Sequence, residues 1–261
     1  MLSPPCRADV PFLCAALLLL QQPRIDRPDL RAGLDSLYGG GFPAAATYFA
    51  ALAHADSADP APVIFEAGAY IWWAAALEND RYEAPAIDSL LARALARAAR
   101  LAGPVRDFWF ATALGYRARQ RVLLGHSWAA AKDAKAMRDA YARVLAADSS
   151  CLDCYLGLGV YQYALARAST LARLAAKLLG LGSGNAQRGI GYLRRAATEG
   201  DLARVEAAWV LAAALVREAA RAHAAGGPLE REARALVVLL AERYPGNPVF
   251  QRFLRDTPAT P

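Results

Sequence analysis

The sequence has few of the side chains that metal sites and acid–base catalysis most often use. Its 261 residues include only 3 histidines and 4 cysteines, and His54, His126 and His223 stand far apart along the chain. No HExxH and no GxSxG motif occurs, so the metalloprotease and serine-hydrolase signatures are both absent. We therefore expect no catalytic residues, no metal ion and no cofactor, and we predict that the protein is not an enzyme.

β-branched residues are sparse, and no stretch alternates apolar and polar residues with a period of two. Both features argue against β-strands, whereas the abundant alanine and leucine favour helix. Prolines stand near the starts of segments and glycines stand after their ends, as is typical of helix boundaries. These signals predict an all-α chain of about a dozen helices between residues 29 and 254. With 56% hydrophobic residues, the chain can bury the core of one domain.

Lysine is also scarce, since it supplies only 3 of the 30 basic residues, and the formal net charge is +6. Arg93, Arg97 and Arg100 share one predicted helix face, which could form a basic patch. No nucleic-acid-binding module accompanies this charge. We interpret the arginines as a solvated outer face and expect no nucleic acid partner; the alternative, binding of nucleic acid, predicts a steep loss of affinity with salt.

A glycine recurs behind a small residue or a leucine in four predicted helices. The pairs are Ala32-Gly33, Ala67-Gly68, Leu114-Gly115 and Leu158-Gly159, and the glycines are 35, 47 and 44 residues apart. Such spacings lie in or just above the range of arrays of helical hairpins, in which each hairpin buries its apolar face against its neighbours. A glycine in such a helix has no Cβ, so it lets the second helix of the hairpin cross closely.

The clearest unit places Tyr141, Val144, Asp148, Leu158 and Gly159 at the offsets that the tetratricopeptide repeat uses late in one helix, in the turn, and in the next helix. The chain therefore resembles a divergent bacterial tetratricopeptide-repeat protein. The central units depart from the 34-residue repeat because their helices are longer.

This resemblance implies an α-solenoid of antiparallel helical hairpins, a superhelix of about five hairpins over residues 28–255, followed by a disordered tail over 256–261. It further implies a non-catalytic scaffold that binds a protein or peptide in its concave groove. By their offsets from the recurring glycines, the resemblance assigns seven residues to that groove: Trp72, Trp73, Tyr116, Arg119, Gln120, Asp153 and Tyr163. Arginine and aromatic side chains are frequent anchors of such surfaces, and Arg119 and Tyr163 are the strongest candidates.

One alternative from another class stays open. An all-α enzyme or small-ligand carrier could enclose a cavity among the lengthened middle helices, near Trp72, Trp109 and Tyr163. A closed polar pocket with convergent carboxylates would favour this alternative, and an open groove would favour the scaffold.

The amino terminus has the pattern of an export signal. Arg7 precedes an apolar run over residues 10–20, which is too short to cross a bilayer, for which about 20 residues are needed, but fits a secretory signal. We predict that residues 1–27 are a signal peptide or apolar leader and that the protein is periplasmic or envelope-associated. We expect no transmembrane helix, although the apolar N-terminus could associate with a membrane.

Two features of this segment leave a cytoplasmic location open. Asp9 lies where a signal peptide is basic, and no small-x-small cleavage site follows Leu20. Residues 1–27 could instead form an amphipathic cap for the first repeat or a disordered leader.

Cys151 and Cys154 form a CxxC motif. A thioredoxin site would need a βαβ context, a c-type haem site would need histidine where Tyr155 stands, and a zinc site would need two further ligands. The repeat register places Cys151 in a turn and Cys154 early in a helix. A local disulfide is expected if the protein is exported.

Overall fold

The computed structural model describes residues 27–223 and 226–257, without the side chains of residues 170, 171 and 175. All regular secondary structure in this part of the chain is α-helical, which confirms the all-α prediction. The twelve helices are α1 (Pro28–Tyr38), α2 (Phe42–Ala55), α3 (Ala61–Ala76), α4 (Ala84–Ala98), α5 (Gly103–Leu123), α6 (Ser127–Ala147), α7 (Cys154–Arg167), α8 (Thr170–Leu178), α9 (Ala186–Glu199), α10 (Arg204–Arg221), α11 (Pro228–Arg243) and α12 (Pro248–Asp256).

The predicted segments at the two chain ends fall largely outside this description. The leader expected over residues 1–27 lies outside the described residues except for Arg27, which precedes α1. At the other end, Asp256 is the last residue of α12, and residues 258–261 lie outside the described part. Within the described residues, no helix is long and apolar enough to cross a membrane.

The helix boundaries follow local signals closely. Seven of the described helices have proline at their first or second position, where the missing N–H costs no intrahelical bond. Asn185 and Asn247 cap α9 and α12 by accepting hydrogen bonds from backbone N–H groups in the first turn. α4 ends at Ala98, where turn hydrogen bonds from Arg100 and Leu101 close its end.

Helices pack mainly on their neighbours in the sequence. α1 packs on α2, α3 on α4, α5 on α6, and α10 on α11. α7 packs most closely on α9, and the short α8 lies between these two helices in the sequence. The hydrophobic core runs through all of these pairs, from Leu30 on α1 to Phe250 on α12.

Three of the four recurring glycines lie where paired helices meet. An added Cβ at Gly33 would come within 2.5 Å of the Phe49 ring on α2, and one at Gly115 within 3.1 Å of Met137 on α6. At Gly159 it would lie 3.0 Å from the carbonyl oxygen of Gly189 on α9. Gly68 differs, since its nearest neighbour outside its own helix is the Tyr116 hydroxyl at 3.8 Å.

The beginning and the end of the described chain are in direct contact. The Asn247 side chain donates a 2.9 Å hydrogen bond to the Tyr38 carbonyl, and the Tyr244 hydroxyl donates one of 2.7 Å to Asp35. Arg31 on α1 binds both carboxylate oxygens of Asp201, which lies just before α10. These contacts join α1 to the turn before α10 and to the turn between α11 and α12.

Candidate functional site

The seven residues expected to line a groove lie on three helices and one turn. Trp72 and Trp73 belong to α3, and Tyr116, Arg119 and Gln120 belong to α5. Asp153 is the residue before α7, and Tyr163 is on α7. Four of them contact α10 or the turn that begins it, so α10 is their common neighbour. These four are Trp72, Tyr116, Asp153 and Tyr163.

Trp72 lies in an aromatic cluster between α3, α10 and α12. It is 5% exposed, and its ring lies 6.1 Å from Trp209 on α10 and 5.7 Å from Phe250 on α12, measured between ring centroids. Its contact with the Tyr38 ring is edge-on at 5.4 Å. The chain's own aromatic side chains therefore cover this position. Trp109, also expected near a ligand cavity, is buried against Phe65 and Phe108.

Tyr116 and Glu206 link α5 to α10. The Tyr116 hydroxyl donates a short hydrogen bond to the Glu206 carboxylate. Burial raises the pKa of Glu206, and the Tyr116 hydrogen bond and the positive charge of Arg119 act in the opposite direction. Burial likewise raises the pKa of Tyr116 well above its ordinary value, and the Glu206 charge adds to this rise. The Tyr116 hydroxyl also lies beside Gly68 on α3, where an added Cβ would be at an ordinary contact distance of 3.8 Å.

Arg119 lies one turn after Tyr116 and reaches solvent. Its side chain makes no hydrogen bond or ion pair at contact distance within residues 27–223 and 226–257, although Glu206 and Asp80 act on it through their charges. Loss of hydration lowers the pKa of Arg119, which indicates that the side chain is flanked by protein although its end is accessible. Arg119 is therefore an accessible cation on a partly enclosed surface.

The remaining α3 and α5 positions have local partners. Trp73 is half-buried, and its ring stacks on Tyr70 at 6.4 Å and meets Tyr82 at 5.0 Å. Gln120 is buried, and its amide donates a long hydrogen bond of 3.5 Å to the Asp80 carbonyl. Of the predicted surface on these two helices, Arg119 is thus exposed, Trp73 and Tyr116 are half-buried, and Trp72 and Gln120 are buried.

Asp153 organises the turn that begins α10. Its carboxylate accepts backbone N–H groups from Asp201 at 2.6 Å, Leu202 at 3.1 Å and Ala203 at 3.3 Å. Burial raises the pKa of Asp153, and these three hydrogen bonds lower it in part. Its side chain is therefore engaged within the chain.

A disulfide joins Cys151 and Cys154, with their Cα atoms 5.6 Å apart. It spans the turn before α7 and encloses Asp153, so it lies directly beside the residue that binds the start of α10. Among the described residues, no group of three or more histidine, cysteine, aspartate or glutamate side chains is placed to hold a metal ion.

Tyr163 borders a pocket between the ends of α7 and α10. The pocket has a volume of about 520 Å³ and is lined by Tyr163, Arg167, Arg217, Ala220 and Arg221. The Tyr163 hydroxyl donates hydrogen bonds to the Ala214 carbonyl at 3.2 Å and to Glu218 at 3.0 Å. Sequence reasoning identified Tyr163 but none of the α10 residues around it.

Sequence reasoning missed Arg167 on α7 and five residues on α10: Glu206, Trp209, Arg217, Glu218 and Arg221. A signal for them was present, because a glutamate and a tryptophan interrupt a run of alanine, valine and leucine at a spacing of three residues. That spacing places both side chains on one helix face.

Searches against protein-family models, curated proteins and solved structures found no match to this chain.

Proposed function

We propose that this chain is a helical-repeat scaffold that binds a protein or peptide partner and performs no catalysis of its own. The observation that carries the proposal is the succession of paired helices, four pairs between sequence neighbours and one between α7 and α9, with glycine at three of the crossings. Because each pair buries its apolar face on adjacent pairs, such an assembly offers extended surface rather than a reaction centre.

In this proposal the described helices form a divergent tetratricopeptide-like α-solenoid of five antiparallel hairpins. The hairpins are α1–α2, α3–α4, α5–α6, α7–α9 and α10–α11, and α12 ends the array. The lengthened α5 and α6, of 21 residues each, and the inserted α8 account for spacings above that of the 34-residue repeat.

The partner surface proposed here lies beside α10. Because Trp72 is buried against α10 and the Tyr116 hydroxyl is bonded to Glu206, the positions proposed for a partner are the exposed Arg119 and the half-buried Trp73. Arginine and tryptophan are the side chains most enriched at energetically important interface positions. A charged partner group at Arg119 would gain from the partial enclosure of this guanidinium.

The cell envelope is the proposed location. The apolar run over residues 10–20 supports it, and so does the disulfide between Cys151 and Cys154. Disulfides persist in the periplasm and are rare in the cytosol.

A pull-down from the source cells, using the full chain with its native amino terminus, tests both parts of this proposal. We expect a reproducible partner that is lost on Arg119→Ala but retained by Arg188→Ala, a control at an exposed arginine of α9. Mass spectrometry of the N-terminal peptide tests export. A chain that retains no protein, or a partner that both variants retain equally, would contradict the proposed surface.

A further inference from the structure

We propose that the pocket between the ends of α7 and α10 binds carboxylate side chains of an acidic segment in the partner protein. This inference rests on the proposed scaffold function and specifies that the partner's binding segment is acidic. The pocket is defined by Tyr163, Arg167, Arg217, Ala220 and Arg221 and is hereafter called the arginine pocket.

The arginine pocket has more positive charge than its own carboxylate can neutralise. Glu218 is the acidic side chain at this position, and Arg167 binds both of its oxygens as a bidentate ion pair. The Tyr163 hydroxyl donates to the same carboxylate, and the Arg167 hydrogen bond lowers the pKa of Glu218. Glu218 is therefore ionised and already occupied by two donors.

Arg217 and Arg221 have no such partner. Both are exposed, and neither makes a hydrogen bond or an ion pair at contact distance within the described ranges; the charge of Glu218 reaches Arg221 only at longer range. They stand four residues apart on α10, so their guanidinium groups lie on the same face and repel each other. An anion bound between them would remove this repulsion.

The dipoles of α7 and α10 account for only some of the arginines in the arginine pocket. A cation in the last turn of a helix is stabilised by the helix dipole, which accounts for Arg167 on α7 and Arg221 on α10. Arg217 lies one turn earlier on α10 and gains little from the dipole. Its position beside the other two is what creates a site with several convergent donors.

The existing ion pair indicates which anion fits. Arg167 and Glu218 form the fork-to-fork arrangement that a guanidinium makes with a carboxylate. Ala220 has a short side chain between Arg217 and Arg221, so it leaves room for a second carboxylate to approach them in the same manner. Two or more glutamate or aspartate side chains from an extended segment would therefore extend a network that is already present.

Binding of a fluorescein-labelled hexaglutamate peptide to the full chain tests this inference. Fluorescence anisotropy at low salt should give saturable binding that weakens by about tenfold or more in the Arg217→Gln/Arg221→Gln double variant. The control double variant is Arg188→Gln/Arg255→Gln, which removes the same charge from two exposed arginines outside the pocket. We expect the control to bind almost as the parent chain does.

Three outcomes would overturn the inference: no binding of hexaglutamate, an equal loss in the two double variants, or tighter binding of an oligothymidylate that depends on Arg217 and Arg221. An equal loss would show a net-charge effect, and oligothymidylate binding would assign the pocket to phosphates. A partner from the pull-down that the Arg217→Gln/Arg221→Gln variant retains fully would contradict only this inference. Hexaglutamate binding without any retained partner would contradict only the scaffold function.

Discussion

The side chain of Asn247 joins the two ends of the described chain. Its amide donates a 2.9 Å hydrogen bond to the carbonyl of Tyr38, which lies 209 residues earlier, and its oxygen accepts the N–H of Val249 at the start of α12. The residue is fully buried. One side chain therefore caps α12 and satisfies a buried carbonyl at the end of α1, which joins the start of α12 to the end of α1.

We expect Asn247→Ala to lower the free energy of unfolding by about 3 kcal/mol, because both the helix cap and the partner of a buried carbonyl are lost. Asn185→Ala is the matched control, since Asn185 caps α9 in the same way but is exposed and has no long-range bond. It should cost about 1 kcal/mol. Urea unfolding of both variants measures the difference, and equal losses would mean that the bond to Tyr38 contributes little.

Gly189 and Gly191 on α9 provide a paired test of close helix packing. A Cβ at Gly189 would lie 2.7 Å from the backbone nitrogen of Tyr163, whereas a Cβ at Gly191 would meet nothing within 4 Å. We expect Gly189→Ala to destabilise the protein by about 2 kcal/mol or more, because backbone atoms of α7 would have to move. Gly191→Ala should instead stabilise it by about 0.5–1 kcal/mol through helix propensity.

Thermal unfolding followed by circular dichroism would measure both glycine variants. Equal unfolding temperatures for Gly189→Ala and Gly191→Ala would contradict the close approach of α7 and α9.

Glu206→Gln should change how stability depends on pH. Because burial raises the pKa of Glu206 above the ordinary value of 4.5, the folded protein keeps this proton to higher pH than the unfolded chain does. Ionisation then costs stability as pH rises from 4.5 through the folded pKa, and the cost is constant above it. The parent chain should therefore lose stability relative to Glu206→Gln over this interval.

Urea unfolding of the parent and the variant between about pH 4 and 8 measures this difference. Glu242→Gln, at an exposed position of α11, controls for the removal of a surface charge. A difference between Glu206→Gln and the parent that stays constant across the whole range would contradict the prediction.

Asp153→Ala should destabilise the start of α10. Three backbone N–H groups, those of Asp201, Leu202 and Ala203, would lose their common acceptor, and we expect a loss of about 2 kcal/mol. Hydrogen exchange at these amides should rise more than exchange in α2, which is far away in the sequence. Asp148→Ala is the control, since Asp148 accepts only local hydrogen bonds from Ser150.

A partner-binding residue without a structural role would give the opposite pattern at Asp153. Unchanged stability together with loss of the partner in a pull-down would assign Asp153 to the partner surface rather than to the support of α10.

The helices were predictable because their signals are local. A proline in the first turn, a glycine after the last turn and a run of alanine and leucine each act within a few residues. The structure accordingly has twelve helices in its described part, as against the dozen or so predicted. The closeness of Gly159 to its paired helix was also expected, because the repeat register assigns that glycine to a crossing.

The candidate site was only partly predictable because its contacts join residues that are distant in the sequence. Sequence reasoning selected Trp72, Tyr116 and Tyr163, but their partners on α10 lie roughly 50 to 140 residues further along the chain. No sequence spacing predicts a contact between residues that far apart, because their relative position depends on the geometry of every turn between them. The arginine pocket was missed for the same reason, since it needs α7 and α10 to end side by side.

The sequence by itself determined that this protein is helical, where most of its described helices lie to within a few residues, and three of the glycines at which paired helices touch. Only the tertiary structure decided that α10 covers the face on which a partner was expected, and that Arg119, Arg217 and Arg221 remain accessible there and beside it. Helix formation depends on interactions within about four residues, whereas the cover of one helix by a distant one depends on burial of apolar surface from the whole chain.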